Sequence, residues 1–481
     1  MTPRLPAPRS PTWVVAETAT AAAFSFFSLL AITRAVGPEA AGLGAVAVAA
    51  FLLADLACSS IFTDALVQRA SLSEHHIRSA LTAQVLAGVG WALALALLAP
   101  VIARLADAPE VSPLILALAA LLPFSAFSGA TAGVVLREQR YRLLAMRALL
   151  GQPLGLLAGL LLAALGFGAW ALIAQQVTAT VATFALMLAF GRMPLRPAIV
   201  RRALADLWPV AGPQILSIIV TAGRYRLFVL ALGVVTTEAV VAVCNVAFRL
   251  LDSALGIVWG SISRLSLPRL SALQANRAGL AEAYGHLAQL QALMGMPIAA
   301  GIALTAPDLI RALLGPVWID AAEATRLVGW VAVFSFSWGD PGSLFVALGK
   351  AKRNVLLSAV ALAVPLGILL VARPATPFGV AVCWASSTVV VGPWVVWLAL
   401  SELKRSPLWL LGRIAPALVA TAAMAGAVLL LQETFARDLP PLTRLVVSVV
   451  AGALVFSTVA WLALGRQPPR GLRNPGPVAA E

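Results

Sequence analysis

Charged side chains lie inside two apolar segments of this chain, where charges are normally excluded. The segments fall within residues 221–270, and their charged residues are Arg224, Arg226, Arg249 and Asp252. A charge at the centre of a membrane helix costs about 2.5–3.5 kcal/mol on insertion scales, so it needs a partner or a water-filled cavity. Asn245, Arg249 and Asp252 follow one another at helical spacing and therefore share one helix face. This polar face predicts the wall of a pathway through the membrane.

Three further acidic residues occur within apolar segments. Glu17 and Asp55 lie in the first half of the chain. A buried carboxyl group can be protonated in one conformation and ionised in another, which makes both candidates for coupling to a proton or a sodium ion. Glu17 is close to the inner end of its segment, so an interfacial position is the alternative. Asp340 lies where glycines and a proline should interrupt a helix, and it could either line a cavity or cap the second helical piece.

The composition is that of a membrane protein. Of the 481 residues, 61% are hydrophobic and only 11% are charged, whereas a soluble protein of this length needs far more surface charge. The apolar residues come in blocks of about 18 or more, long enough for a helix to cross a hydrocarbon core of about 30 Å. We therefore expect an all-α, polytopic membrane protein without a separate soluble domain. The net charge of +14 does not indicate a nucleic-acid partner, because basic residues of membrane proteins concentrate in cytoplasmic loops.

About 14 transmembrane helices are predicted from the apolar blocks. Their expected ranges are 13–33, 40–62, 80–103, 111–136, 148–167, 169–190, 207–234, 239–262, 287–304, 328–348, 355–372, 378–400, 414–431 and 445–464. The basic loop after the sixth span is the natural midpoint. The predicted domains are an N-terminal lobe (1–198, helices 1–6), a C-terminal lobe (199–405, helices 7–12), two additional helices (406–465) and a cytoplasmic tail (466–481).

The lysines and arginines predict the orientation in the membrane. Of the 34, 24 fall in loops on the side of the N-terminus, seven fall in loops on the opposite side, and three lie within spans. Positive charge accumulates on the cytoplasmic side, so both termini are expected in the cytoplasm. Among the inner loops, residues 264–286 have apolar residues at helical spacing with basic residues opposite. This pattern fits either an amphipathic helix on the inner membrane surface or an ordinary cytoplasmic linker.

The chain offers no set of residues for covalent chemistry. Its three cysteines, Cys58, Cys244 and Cys383, are isolated within apolar segments, and its histidines are not clustered at metal-ligand spacing. We therefore expect buried free thiols, no metal site, no cofactor and no catalytic residue. The sequence predicts that the protein is not an enzyme.

Several segments resemble one family of membrane exporters. They are 37–50 (GPEAAGLGAVAVAA), 136–150 (LREQRYRLLAMRALL), 166–176 (GFGAWALIAQQ), 245–252 (NVAFRLLD), 266–273 (SLPRLSAL), 309–330 (LIRALLGPVWIDAAEATRLVGW) and 344–354 (LFVALGKAKRN). Together they resemble the Wzx-type polysaccharide flippases of the multidrug/oligosaccharidyl-lipid/polysaccharide (MOP) exporter superfamily. The likeness extends over nearly the whole chain except the tail after Gly465.

This resemblance implies a fold and a function. The fold would be two six-helix lobes arranged as a V, with two extra helices at the C-terminus. The function would be to flip polyprenyl-pyrophosphate-linked oligosaccharide repeat units from the inner to the outer leaflet of a bacterial inner membrane, by alternating access. Such units serve the biosynthesis of lipopolysaccharide or exopolysaccharide. The implied partners are the lipid-linked oligosaccharide, membrane lipids and, as candidates, a polysaccharide polymerase or other export machinery.

One departure from the family concerns the seventh span. Relatives often carry an acidic residue early in this span, whereas this chain reads GRYRLF, with Arg224 and Arg226. Arginine donates paired hydrogen bonds to phosphate oxygens and stays charged when buried, so Arg224, Arg226 and Arg249 are the candidates for holding the pyrophosphate. The structural alternative is that Asp252 neutralises Arg249 and that Arg226 extends towards the membrane surface. Asp55, Asp252, Glu17, Asn245 and Asp340 are the candidates for coupling or for lining the cavity.

Two other function classes remain open from the residues. A drug or small-molecule exporter of the same superfamily would be expected to have a site richer in aromatic and acidic residues than in arginine. A membrane enzyme acting on the lipid carrier would be expected to have a large outer loop with catalytic residues. The longest predicted outer stretch here, 305–327, is short and contains no histidine.

The charge asymmetry yields a test of the orientation. Single cysteines replacing Thr237 or Pro440, in predicted outer loops, should react with a membrane-impermeant thiol reagent added to intact cells. A cysteine replacing Arg196, in a predicted inner loop, should react only after the cells are opened. The opposite labelling pattern would reverse the orientation and the direction of transport inferred from it.

Overall fold

The computed structural model describes residues 24–465 apart from 25, 29, 70, 222 and 437. In this part of the chain the regular secondary structure is helical and contains no strand. This confirms the predicted all-α class. Large apolar side chains such as Leu97, Leu157 and Leu454 remain exposed along the helices. A soluble protein would bury them, whereas in a bilayer they face lipid at no cost.

The helices form two compact units, Met1–Asn245 and Val246–Glu481. The first unit contains α1 (Phe26–Val36), α2 (Pro38–Ser59), α3 (Thr63–Gln68), α4 (Glu74–Leu105), α5 (Val111–Ala119), α6 (Leu122–Arg137), α7 (Tyr141–Ala164), α8 (Trp170–Phe190), α9 (Arg201–Thr221), α10 (Arg224–Val235) and the beginning of α11 (Glu238–Ala272).

The second unit contains the rest of α11 and the helices that follow it. These are α12 (Arg277–Leu313), α13 (Ala321–Ser335), α14 (Pro341–Ala347), α15 (Ala351–Ala372), α16 (Pro377–Ser386), α17 (Gly392–Leu403), α18 (Pro407–Thr434) and α19 (Pro441–Ala463). A short 3₁₀ helix, Pro316–Trp318, precedes α13, and a π-helical turn, Ser387–Val391, joins α16 to α17.

The number of helices that can cross a membrane differs from the predicted 14. In the described residues, ten helices are long and apolar enough, and α5 with α6, bent by 41°, would make an eleventh. Two of the remaining predicted spans are interrupted, one between α9 and α10 and one between α13 and α14. The predicted span 13–33 lies mostly outside the described residues. The count of 14 is therefore not confirmed.

The sequence left a surface helix and a linker open for residues 264–286. No separate helix forms there, because most of this stretch belongs to two long helices, α11 and α12. α11 has 35 residues and α12 has 37, so each extends over more than 50 Å at about 1.5 Å per residue. A turn in residues 273–276 joins the two helices. Asn276 ends this turn, and its side chain accepts a hydrogen bond from the backbone N–H of Gly279 at 2.9 Å, which caps α12.

The boundary between the compact units falls inside α11, between Asn245 and Val246. The predicted lobes instead meet between residues 198 and 199, so the first unit includes α9, α10 and the beginning of α11. The predicted lobe boundaries and the separate pair of C-terminal helices remain predictions.

A buried ion pair joins α12 to α19 in the second unit. Arg444 Nε donates to Asp308 Oδ2 at 2.7 Å, and Arg444 Nη2 donates to the other carboxylate oxygen. The Asp308 side chain is only 5% exposed and that of Arg444 21% exposed. Paired donation of this kind is the geometry in which arginine binds a carboxylate most strongly.

Removing the arginine of this pair should destabilise the second unit. Arg444→Ala leaves the buried Asp308 without its partner, a change that typically costs about 3–5 kcal/mol. We expect a clearly lower midpoint of thermal unfolding for the purified protein in detergent. Arg311→Ala, at an exposed position of α12, is the matched control. Equal midpoints for Arg444→Ala and Arg311→Ala would contradict a stabilising role for the pair.

Candidate functional site

A polar cluster lies where α2, α6 and α10 meet in the first unit. Asp55 is one turn before the end of α2, and Ser125, in the first turn of α6, donates a hydrogen bond to Asp55 Oδ1. The hydroxyl of Ser59 donates to the backbone oxygen of Asp55 at 2.7 Å. Arg226 of α10 is near enough to interact electrostatically with the carboxylate. The structure thus brings together two predicted site residues, Asp55 and Arg226, which are far apart in the sequence.

Each helix that contributes to this cluster is interrupted nearby. α2 ends at Ser59, α6 follows the bend after α5, and α10 begins after the break that ends α9. Helix ends at membrane depth are tolerated only where their backbone groups are packed in protein or line a water-filled cavity. Interrupted helices of this kind are a common way to build a transport site.

Gln84 of α4 forms hydrogen bonds with backbone groups at and just after the end of α2. Its fully buried side chain donates to the carbonyl oxygens of Ser59 (2.6 Å) and Ala126 (3.1 Å). Its Oε1 accepts from the backbone N–H of Phe62 at 3.2 Å. We did not predict this residue as part of the site. An amide side chain in an otherwise apolar span was the signal that could have identified it.

Arg224 and Arg226 are half-buried in the first turn of α10. Arg224 lies 11 residues before the end of this helix at Val235, which is about 17 Å at the usual rise and roughly half of a hydrocarbon core. Cations are unfavourable at a helix N-terminus, where the backbone N–H groups already carry partial positive charge. Two guanidinium groups at such a position concentrate positive potential, and this arrangement suits an anion.

Tyr225 and Asn245 connect α10 to α11. The Tyr225 hydroxyl donates to Asn245 Oδ1 at 2.5 Å and lies 3.3 Å from the backbone oxygen of the same residue. Asn245 was predicted as a cavity-lining residue, whereas Tyr225 was not predicted as part of the site. The bond fixes the beginning of α10, and with it the two arginines, against α11.

The remaining predicted residues of α11 lie in the second unit. Arg249 is half-buried and Asp252, on the next turn, is exposed. Arg224 and Arg226 belong to the first unit, so the three predicted pyrophosphate-binding arginines are divided between the units. Their convergence on one ligand remains a prediction. Glu17 lies outside the described residues.

Asp340 caps a helix in the second unit. Its carboxylate accepts hydrogen bonds from the backbone N–H of Ser343 (3.0 Å) and from the hydroxyls of Ser343 (2.6 Å) and Ser263 (3.1 Å). This is the capping role that the sequence left open beside a lining role, and the lining role remains a prediction. The residue before it, Gly339, has φ of +77°, a left-handed conformation that glycine adopts at little cost.

Two buried side chains of α12 satisfy the backbone at the same break. Gln291 Nε2 donates to the carbonyl oxygen of Gly339 at 3.1 Å, and the Tyr284 hydroxyl donates to that of Trp338 at 2.5 Å. Neither residue was predicted from the sequence. The free thiols expected of Cys58, Cys244 and Cys383 are confirmed, and all three are buried.

The fold is that of a class of membrane transporters. The structure is similar to the lipid II flippase MurJ in an inward closed conformation, with a TM-score of 0.78 and 11% identity, over 95% of this chain and 99% of that one. It is also similar to an inward-facing multidrug resistance MATE family transporter of the MOP superfamily, with a TM-score of 0.66 and 15% identity, over 82% of this chain and 99% of that one. At such low identity the likeness concerns the fold alone.

Residues 31–323 match the model of a family described as "Polysaccharide biosynthesis protein", and the chain belongs to this family. A relative is the succinoglycan biosynthesis transport protein ExoT of Rhizobium meliloti (strain 1021), which is 27% identical over 163 residues. That alignment covers 34% of this chain and only 33% of the relative. Family and fold agree with the predicted resemblance to Wzx-type flippases. The relatives named here are transporters or flippases rather than enzymes, in agreement with the prediction that this chain is not an enzyme.

The cluster around Asp55 yields a prediction about charge. Asp55→Asn keeps an oxygen that can accept the hydrogen bond from Ser125 but removes the negative charge opposite Arg226. We expect normal amounts of folded protein and a loss of transport per folded molecule. Asp107→Asn, at an exposed loop position whose left-handed backbone asparagine accepts well, is the control. Transport by Asp55→Asn equal to that of the control would exclude a role for this charge.

Proposed function

We propose that the protein flips polyprenyl-pyrophosphate-linked oligosaccharide repeat units from the inner to the outer leaflet of a bacterial inner membrane, for surface polysaccharide biosynthesis. The proposal rests on the family match and the fold taken together. The chain belongs to a polysaccharide biosynthesis family and has the fold of membrane transporters that include a lipid II flippase. Alternating access is the mode of transport that this fold class suggests.

The chemistry of the α10 N-terminus supports a pyrophosphate as the part of the substrate that is recognised. A pyrophosphate must exchange its hydration for protein donors before it can enter a low-dielectric region. Arg224 and Arg226 offer paired guanidinium donors at the N-terminus of α10, where the helix dipole also favours an anion. Arg249 is proposed to supply a third guanidinium from α11.

Asp55 is proposed to regulate these donors. Its carboxylate lies within electrostatic range of Arg226 and would therefore compete with an anionic ligand for this arginine. Protonation or cation binding at Asp55 would release Arg226 to the pyrophosphate. This exchange would couple transport to a proton or sodium gradient without the acidic residue that relatives often carry early in the seventh span.

A small-molecule exporter is the second candidate, and its support is the similarity to the MATE transporter. The family match to polysaccharide biosynthesis favours the flippase. The first turn of α10 also favours it, because two arginines suit an anionic substrate better than the cationic drugs that acidic sites attract. Cytoplasmic termini are proposed from the charge asymmetry, and a polymerase remains a candidate partner.

Loss of the protein tests the function directly. A deletion strain should accumulate the lipid-linked oligosaccharide on the inner leaflet and export less surface polysaccharide. Total lipid-linked oligosaccharide is measured after extraction, and its sidedness by digestion with a glycosidase added to intact or opened cells. Normal export in a strain that has no second transporter of this class would refute the proposal.

Arg249 distinguishes pyrophosphate binding from charge neutralisation. If it binds pyrophosphate, Arg249→Lys keeps the charge but loses the paired donors, so transport should fall partly. Arg249→Ala should abolish transport, and adding Asp252→Ala should not restore it. If Arg249 only neutralises Asp252, the double variant should recover both folding and transport, because no uncompensated charge remains. The measurement is transport per molecule of folded, membrane-inserted protein.

A further inference from the structure

An aromatic side chain on α11 stays exposed in the second unit although one side of it is packed. Trp259 is 37% exposed, and its ring is stacked on that of Phe336, with the ring centroids 5.1 Å apart and the planes at 21°. Phe336 is fully buried against Gly295 of α12, where a Cβ would lie only 2.3 Å from Phe336 Cδ1. This stacking fixes the indole from one side, so its exposed area belongs to the other face and the ring edges.

The surface of α11 around Trp259 is open. One exposed face of the helix is formed by residues at helical spacing, which are Asp252, Gly256, Trp259 and Ser263. Apart from the neighbouring residues of the helix itself, no atom of the described residues lies within 4 Å of the position that a Cβ would take at Gly256 or at Gly260. A ligand can therefore approach the helix backbone beside the indole. The exposed carboxylate and hydroxyl on this face require water rather than lipid around them.

Polar groups converge one turn further along α11. The Ser263 hydroxyl donates to Asp340 Oδ2 at 3.1 Å. The other oxygen of this carboxylate lies 3.5 Å from the position that a Cβ at Gly342 would take, and Asn354 Oδ1 lies 3.4 Å from the same position. Since residue 342 is a glycine, the space between the carboxylate and the amide stays free of a side chain. Trp259 and Ser263 have Cβ atoms about 6 Å apart at this spacing, so a ligand on the indole can reach these groups.

This combination of groups fits a neutral sugar ring. One face of a pyranose ring carries C–H groups that pack against an aromatic ring, and its hydroxyl groups both donate and accept hydrogen bonds. The carboxylate of Asp340 accepts from such hydroxyls, and Asn354 and Ser263 can both donate and accept. A pyrophosphate would instead be repelled by the carboxylates of Asp340 and Asp252. The exposed face of α11 thus suits the uncharged part of a substrate whose charged part suits arginine.

We propose that these groups form a subsite for one sugar residue of the lipid-linked oligosaccharide, with Trp259 as the stacking platform and Asp340 as the main acceptor. The inference rests on the proposed function and adds to it a recognition of the sugar that is separate from that of the pyrophosphate. A cation is the other kind of ligand that an exposed indole beside carboxylates attracts. The carboxylate of Asp340 already accepts hydrogen bonds from Ser343 and Ser263, which spread its charge and favour the sugar.

Two ligands separate the sugar from the pyrophosphate. Purified protein in detergent is titrated with the polyprenyl-pyrophosphate-linked oligosaccharide extracted from the producing cells, and with polyprenyl pyrophosphate alone. The native protein should bind the sugar-bearing ligand about tenfold more tightly. Trp259→Ala should remove most of this difference and leave the affinity for polyprenyl pyrophosphate unchanged. Asp340→Asn, which keeps the helix cap, should reduce the difference as well.

The matched control is Trp397→Ala, because Trp397 of α17 is 59% exposed in the same unit. This variant should keep the preference for the sugar-bearing ligand. An equal loss in Trp397→Ala and Trp259→Ala, or an unchanged preference in Trp259→Ala, would overturn the subsite. If Trp259→Ala lowers the amount of folded protein, the same criterion applies to Asp340→Asn.

The outcomes also separate the subsite from the proposed function. Equal affinity of the native protein for both ligands would overturn the subsite and leave a flippase that recognises the pyrophosphate alone. Binding of neither ligand by folded native protein would refute the proposed function and the subsite together. Binding of a lipophilic cation such as tetraphenylphosphonium, lost in Trp259→Ala while the sugar makes no difference, would assign the same groups to a cation instead.

Discussion

A helix that stops inside a hydrocarbon layer leaves backbone donors and acceptors that only other protein groups or a wet cavity can satisfy. This constraint accounts for the buried polar side chains at two helix breaks in the described part of the chain. Gln84 serves the end of α2, and Gln291 and Tyr284 serve the break before α14. These side chains satisfy backbone groups at the helix breaks, and charged residues lie close to two of the interrupted helix ends. Asp55 lies one turn before the end of α2, and Arg224 and Arg226 lie in the first turn of α10.

The helices of the first unit meet through two kinds of contact, one polar and one formed by small residues. Around Asp55 the helices meet through hydrogen bonds and charge, which can be exchanged for those of a ligand or a cation. Gly42 of α2 instead lies against the backbone of Glu238, and Gly233 of α10 lies against Val46, so that a side chain at either glycine would clash.

Much of the fold followed from the sequence because it depends on local patterns. Apolar blocks of span length predicted the all-α membrane class, and Asp340 next to glycine and proline predicted a helix break. The partners of the breaks did not follow, because Gln84 and Ser59 are 25 residues apart and Gln291 and Gly339 are 48 apart. No periodicity in the sequence encodes such pairings. The sequence also did not show that residues 264–286 join two long helices, since amphipathic spacing is the same for a separate surface helix and for the ends of longer helices.

The sequence identified candidate residues of the site, but it did not show which of them lie close together. Arginines within a span are costly enough to be noticed in any sequence, so Arg224, Arg226 and Arg249 stood out. The same reasoning gave no sign that Arg226 lies within electrostatic range of Asp55 or that Tyr225 is hydrogen-bonded to Asn245, since both depend on how helices pack.

Flipping by the purified protein tests the central claim most directly. The protein is reconstituted into vesicles that carry a fluorescent polyprenyl-pyrophosphate-linked oligosaccharide in both leaflets, and an impermeant quencher is added outside. In vesicles without protein only the outer half of the fluorescence should be quenched. A flippase predicts that the protected half also becomes quenched with time, and that the Arg249→Ala variant leaves it protected. An inner pool that stays protected in vesicles with folded native protein would contradict the account.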